Sequence, residues 1–424
     1  MPLVAVTSLF FLWGFITVLV DALIPRLREV FALTYFQAGL VQFAFFIAYG
    51  LFSIPSGGLL ARIGYRQGMV AGLGIMGLGC LLFWPAAGFR LFPLFLLGTF
   101  VLAGGMTVLQ VAANPYVAVL GDERTASSRL NLAQAFNSLG TTIAPVVGAL
   151  FLLSDRILDE RTLAGMGDAE RLSYMVSEAS AVQAPFALIA GVLFAVAIGM
   201  WLLKLPGISG ERITGGYAEA LRSPRLMQGA LGIFLYVGAE VAIGSYLVSY
   251  FLSLGLPDII RANAFMSSIA STVLGSDLQG LDGKGVAGAF VAFYWGGAMV
   301  GRFLGSALTR MFRPGRVLAL FSGLAILALV ISMNSGGLVA MWSILAVGLF
   351  NSIMFPTIFT NAIDGLGPLK PQGSGILCTA ICGGAVVPPM LGWFADLAGF
   401  QIAFILLLVC YAYIARYGAR YDTA

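Results

Sequence analysis

Histidine is absent from the 424-residue chain, cysteine occurs only four times, and charged residues make up just 10% of it. Without imidazole there can be no histidine proton relay and no His-ligated haem or metal. Cys80, Cys378, Cys382 and Cys410 all fall inside long apolar stretches, which argues against a disulfide framework. Cys378 and Cys382 are one helical turn apart, yet no third ligand lies near enough in sequence to complete a metal site. No Gly-x-x-x-x-Gly-Lys-Ser/Thr string occurs, since Lys284 follows Gly283 but precedes Gly285, and this disfavours a nucleotide-driven pump. The net charge of +4 comes from scattered basic residues that form no patch, so nucleic acid is not an expected partner. Nor is there a nucleophile or metal cluster of the kind a membrane enzyme would need.

What the chain has in abundance is apolar length: 59% of its residues are hydrophobic. About 20 consecutive apolar residues cross a bilayer core of roughly 30 Å as a helix. Twelve such spans are predicted, at 3–24, 36–60, 68–87, 91–119, 130–153, 182–203, 227–252, 287–309, 316–333, 339–362, 374–394 and 402–418. A transmembrane barrel would alternate apolar and polar residues, whereas 312–333 is apolar on every face. The expected class is therefore an all-α membrane protein. The first apolar run, LVAVTSLFFLWGFITVLV, has no basic region before it and reads as a retained helix rather than a cleaved leader.

If the N-terminus is cytoplasmic, most basic residues fall in the inner loops and the C-terminal tail, including Arg62, Arg66, Arg124, Arg129, Arg310, Arg313, Arg316, Arg416 and Arg420. Only Arg26, Arg28 and Arg90 would lie in short outer loops, so both termini are expected inside. The longest inner loop, residues 204–226, separates an N-terminal bundle (1–203) from a C-terminal bundle (227–424). Its YAEALRSPRL stretch could be either a short surface helix or an unstructured tether.

An internal repeat supports this division. Gly57 and Arg62 after the second span recur as Gly305 and Arg310 after the eighth, and Gly140, Pro145 and Gly148 recur as Gly384, Pro389 and Gly392. Matches in corresponding spans of both halves point to duplicated six-helix bundles, an arrangement commonest in transporters.

The Gly-x-x-x-x-Arg-x-Gly pattern at Gly57, Arg62 and Gly64 resembles the loop motif of the major facilitator superfamily. The acidic residue usual before the Arg is Ala61 here, and Thr309 in the second copy, so the loop clamp is expected to be weaker. LFFLWGFITVLVDALIP, LTYFQAGLVQFAFFIAYG, VAANPYVAVLG and RLNLAQAFNSLG resemble the fucose:proton symporter family. VGAEVAIGSYLVSYF and FYWGGAMVGRF are most similar to its bacterial glucose/galactose and N-acetylglucosamine branch. The resemblance covers nearly the whole chain. It implies two pseudo-symmetric six-helix bundles, a small sugar as substrate, symport with a cation by alternating access, no cofactor, and a monomer in the bacterial inner membrane. An exporter of the same fold for drugs or other metabolites is the rival reading; it would favour an apolar cavity over one rich in Gln and Asn.

Of the acidic residues, Asp21 and Glu240 sit well inside predicted spans, the first and the seventh, which correspond in the repeat. A carboxylate at a helix centre costs about 2.5–3.5 kcal/mol on insertion scales, so such residues mark a pathway or coupling ion, or else are held as structural glue, with Arg302 as the available partner. The resemblance implies cation coupling at Asp21. The fucose branch carries a second acidic residue where this chain has Gln110, which cannot titrate, so its two-carboxylate scheme does not transfer intact. Proton and sodium both remain open as the ion; no metal site is firmly assigned, and sodium would sit near Asp21.

Asn131, Gln134, Asn137 and Thr141 form a polar stripe on the fifth span that faces either a cavity or another helix. Gln and Asn both donate and accept, as sugar hydroxyls require, and the resemblance places Gln134 and Asn137 in the sugar site. Glu240, Tyr294, Trp295 and Asn351 are further candidates: the aromatics for stacking on a pyranose ring or for packing, the amide for a hydroxyl. The Asn114-Pro115 pair should free a backbone carbonyl and kink the fourth span, as a gate or as a tolerated bend.

Overall fold

The computed structural model describes the backbone of residues 2–30, 35–89, 91–151, 166–203, 205, 216–278 and 280–421. It describes the side chains of these residues other than 19–30, 35–39, 42, 146–151, 168–172 and 174–182. Among the described residues there is no strand. The first half of the chain forms α1 (Pro2–Val30), α2 (Tyr35–Ile63), α3 (Tyr65–Gly88), α4 (Phe92–Val119), α5 (Ala126–Phe151) and α6 (Asp168–Leu202). After the short α7 (Tyr217–Ala220) come α8 (Pro224–Ser253), α9 (Leu256–Ala262), α10 (Ala264–Leu274), α11 (Gly283–Met311) and α12 (Pro314–Met333). The chain ends with α13 (Gly337–Asn351), α14 (Met354–Ile363), α15 (Lys370–Thr379), α16 (Gly383–Ala398), α17 (Phe400–Ala403) and α18 (Ile405–Arg420).

Each expected span falls on helix over nearly all of its described residues, and residues 152 and 153 of the fifth lie outside them. Ten helical stretches among the described residues are long and apolar enough to cross a membrane, and α1 and α5 complete the set. Three details differ from the sequence expectation. The tenth span divides into α13 and α14 at Ser352 and Ile353. The eleventh is interrupted by a 3-10 turn at Ala380–Cys382. The long loop between the seventh and eighth spans carries α9 and α10, which open on αL Gly255 (φ 64°) and an Asn263 cap. The helix starts follow capping chemistry: the Ser223 hydroxyl accepts from Leu226 N–H ahead of Pro224, and the Asp282 carboxylate accepts from Gly285 N–H at 2.8 Å. In lipid every backbone group needs a partner within the protein, which helices supply internally.

Packing uses small residues, because lipid tails leave no hydrophobic drive between helices and close backbone approach must supply the contact. Where α3 crosses α4, a Cβ on Gly105 would lie 2.5 Å from Met76 N and one on Gly72 would lie 2.7 Å from Leu109 N. Phe83 of α3 packs on Phe186 of α6 with ring centroids 4.3 Å apart.

The chain resolves into two compact units, and each takes in one segment from the other half of the sequence. The first comprises Met1–Leu120, Phe136–Ala220 and Leu366–Thr379; the second comprises Gly121–Ala135, Leu221–Gly365 and Ala380–Ala424. In the first, α15 packs on α2 and α4: a Cβ on Gly57 would lie 2.6 Å from Pro371 O, and the Ser374 hydroxyl donates to Val111 O at 2.8 Å. In the second, the start of α5 meets α11 and α14. Ser128 Oγ donates to Ser306 O at 2.7 Å, and Asn131 Nδ2 donates to Thr357 Oγ1 at 3.3 Å.

Candidate functional site

The second unit contains a charged pair inside its membrane-crossing helices. Glu240, in the middle of α8, faces Arg302 of α11 with Oε1 and Nη2 3.6 Å apart, and the side chains are only 12% and 14% exposed. At that separation the attraction is chiefly ionic, and Glu240 Oε1 has no hydrogen-bond partner. Neither charge could sit in hydrocarbon without the other. Arg302 Nε also donates to Ser352 O at 3.3 Å, and Ser352 lies at the break between α13 and α14, where the helical ladder is interrupted. The broken span therefore supplies a backbone acceptor that holds the guanidinium in place.

Around the pair the helices present hydroxyls and an amide. Tyr294 Oη donates to Glu240 O at 3.3 Å, and Asn351 Nδ2 donates to Tyr294 Oη at 2.8 Å. Tyr236, one turn before Glu240 on α8, and Tyr411 of α18 are buried against the same group. The Tyr236 hydroxyl is set against Glu240 and Arg302 and that of Tyr411 against Asn351, so the cluster is a connected set of buried polar groups. Three of the expected site residues, Glu240, Tyr294 and Asn351, are thus brought together. Tyr294 is fully buried and offers no free ring face here, whereas its neighbour Trp295 is 44% exposed, packs edge-on to Tyr294 at 5.1 Å and covers Gly244 of α8. Arg302 appeared in the sequence only as a possible partner for Glu240, and Tyr236 and Tyr411 were missed. For Tyr236 the i, i+4 spacing to Glu240 was the available signal; for Tyr411, on a distant span, there was none.

In the first unit Gln110 of α4, buried, donates through Nε2 to Tyr49 Oη of α2 at 2.8 Å. Asn137 of α5 donates through Nδ2 to Phe10 O of α1 at 2.9 Å, at a crossing where Gly14 and Gly140 let the two backbones approach. One of its N–H groups therefore ties α1 to α5. Asp21 lies on α1, but its side chain is outside the described residues. Gln134 is buried in the second unit. The remaining members of the polar stripe on α5 are committed within the protein: Asn131 to Ser127 O and Thr357, and Thr141 to Ser138 O of its own helix.

The repeated glycines have equivalent jobs. Gly57 lies at the α2–α15 crossing, where a Cβ would meet the Tyr217 hydroxyl at 2.5 Å; Gly305 on α11 lies against the Ile353 side chain. Gly64 has φ 82°, a left-handed conformation that only glycine adopts freely, and it turns the chain from α2 into α3. Arg62 and Arg310 are exposed, and among the described residues neither forms an ion pair. Tyr217, on the short α7 of the linker, donates to Ile54 O. Burial pushes its phenol up to about 12.

A sequence profile of the Major Facilitator Superfamily matches residues 4–380. The glucose/galactose transporter of Brucella abortus is 48% identical over 419 residues, spanning 98% of this chain and 93% of that protein. The L-fucose-proton symporter of Escherichia coli is 35% identical over 427 residues, covering 97% and 91%. A solved structure of the transporter FucP in the outward conformation is 33% identical and aligns over 100% of this chain and 99% of its own, with a TM-score of 0.88. That agreement over the full length shows the twelve-helix transporter fold of two six-helix bundles, built for passage across a membrane and not for enzymatic chemistry. The chain belongs to the Major Facilitator Superfamily and, within it, to the fucose:proton symporter family.

Proposed function

We propose that this chain is a secondary active sugar transporter, carrying a hexose or N-acetylhexosamine together with a proton by alternating access. The observation that carries the reading is the buried cluster of Glu240, Arg302, Tyr294 and Asn351, a carboxylate, a guanidinium, a hydroxyl and an amide brought together on membrane-crossing helices. Burying such groups is costly in hydrocarbon unless they serve a polar ligand, and a sugar presents both donors and acceptors to them. The relatives' names, one for glucose and galactose and one for fucose with a proton, support the substrate class and the coupling ion.

In this reading Asp21 binds the coupling proton, and Gln110, Gln134, Asn137, Glu240, Tyr294, Trp295 and Asn351 contact sugar in at least one state of the cycle. Because Gln110 cannot titrate, coupling falls on Asp21. Residues 1–203 and 227–424 are the moving bodies, joined by the 204–226 linker. The protein works as a monomer in the bacterial cytoplasmic membrane with both termini inside.

Uptake of a labelled sugar panel into proteoliposomes under an imposed proton or sodium gradient tests this directly. Accumulation of a glucose-, galactose- or N-acetylglucosamine-type sugar driven by the proton gradient is expected. No accumulation of any sugar under either gradient would reject the reading.

A further inference from the structure

The outer stripe of α18 changes chemistry along its length. Ile405, Val409 and Ala412 are exposed, apolar and spaced by three or four residues, and the same stripe ends at the exposed Arg416 and Arg420. Exposed apolar residues on a membrane-crossing helix face acyl chains, so the two arginines stand where that face reaches the headgroups. Beside them lies a cavity of about 320 Å³, lined by Gln228 and Leu231 of α8 and by Tyr413, Arg416, Tyr417 and Arg420 of α18. Leu231 and the exposed Met227 carry the apolar wall onto α8.

The cavity's guanidinium groups meet no carboxylate among the described residues. Arg225, close by, is neutralised by Asp364 at 3.0 Å. Arg416 and Arg420, by contrast, have no carboxylate partner among the described residues; Arg420 lies only over the Tyr421 ring, 5.5 Å from its centroid. Tyr413 uses its hydroxyl on Gln228 O at 3.0 Å. Tyr417 is 2% exposed, and its hydroxyl has no hydrogen-bond partner. Gly229 gives that hydroxyl its room, since a Cβ there would lie 2.9 Å away. Two guanidinium groups with five N–H donors each match an anion with several oxygens, while the Tyr417 hydroxyl is buried away from the cavity.

We propose that this cavity between α8 and α18 binds the phosphate headgroup of an anionic phospholipid, whose acyl chains lie along Leu231, Ala412 and Val409. The apolar continuation favours a tailed anion over free phosphate, because a soluble ion would gain nothing from that wall.

Native mass spectrometry on the full-length chain in detergent doped with phosphatidylglycerol tests the site. The wild type is expected to retain one phosphatidylglycerol under conditions that strip phosphatidylcholine. R416Q/R420Q should weaken that retention by about tenfold or more, and R416K/R420K should restore part of it. Y417F, which changes only a hydroxyl buried away from the cavity, should retain the lipid like the wild type. Millimolar inorganic phosphate should leave the lipid bound. Equal retention by the wild type and R416Q/R420Q would overturn the proposal; so would displacement of the lipid by inorganic phosphate. Lipid retention is read without any transport step, so failure here leaves the sugar reading untouched, and the reverse also holds.

Discussion

The hydroxyl of Ser374 donates to the carbonyl of Val111 at 2.8 Å. Val111 is four residues before Pro115, so its carbonyl is the one that the proline ring deprives of a helical N–H. A side chain from α15 thus completes the hydrogen bonding of α4, and it does so from a segment that lies more than 250 residues further along the chain, an |i−j| of 263. Serine and threonine often supply this substitution in membrane helices.

The relationship predicts a thermodynamic coupling. Ser374→Ala should destabilise the protein by about 1–3 kcal/mol, since it leaves a buried carbonyl unpaired. In a Pro115→Ala background the helix provides its own N–H, and the serine substitution should then cost much less. Thermal unfolding of the four variants in one detergent reads the cycle. An equal cost in both backgrounds would break the link.

Removing one partner of the Glu240–Arg302 pair should be far worse than removing both. Arg302→Gln leaves a carboxylate that is 12% exposed without its countercharge, for an expected loss of about 3–5 kcal/mol. Glu240→Gln combined with Arg302→Gln should recover most of the melting temperature. If the double variant is as unstable as the single one, the pair is not what holds these charges in the membrane.

Asp21→Asn should abolish gradient-driven accumulation of sugar while sparing exchange of sugar for sugar, because exchange needs no net proton movement. Gln134→Ala and Asn137→Ala should instead weaken sugar affinity, by about 1–3 kcal/mol if a buried polar contact is lost. Counterflow and accumulation assays on the same proteoliposomes separate the two outcomes. Normal accumulation by Asp21→Asn would remove it from the coupling role.

At the α2–α15 crossing, Gly57→Val should force the helices apart, because a Cβ would lie 2.6 Å from Pro371 O. Cys378 on α15 is fully buried, and its alkylation by a soluble maleimide, followed by peptide mass spectrometry, should speed up severalfold in the variant. Tyr217→Phe, which only removes the bond to Ile54 O, should have a smaller effect. The Tyr217 phenol is raised from its ordinary value of 10.0 to about 12, so its contribution is intact below the former and lost only as pH climbs towards the latter. Transport between pH 5 and 9 should therefore not change through this residue, and the alkylation rate of the wild type should be insensitive to its titration.

The sequence by itself determined the number, order and class of the spans. A bilayer imposes one length and one backbone solution, and runs of apolar residues such as 316–333 announce both. The internal repeat was legible for a similar reason: Gly57 and Gly305 lie at tight contacts that no larger side chain would fit, so the same residue stands in both halves. Glu240 was conspicuous because carboxylates are rare in hydrocarbon. What tertiary structure alone decided is which polar groups meet. Arg302 could be named as a partner for Glu240 because it too lies inside a span, but nothing in the linear order joins Ser374 to Val111 or Gln110 to Tyr49, because each pair lies on different helices and a helix fixes only which of its own residues share a face. Nor did spacing reveal that Asn131 and Thr141, on the stripe of Gln134 and Asn137, would be committed to Thr357 and to their own helix. A polar stripe requires a partner, and packing chooses it.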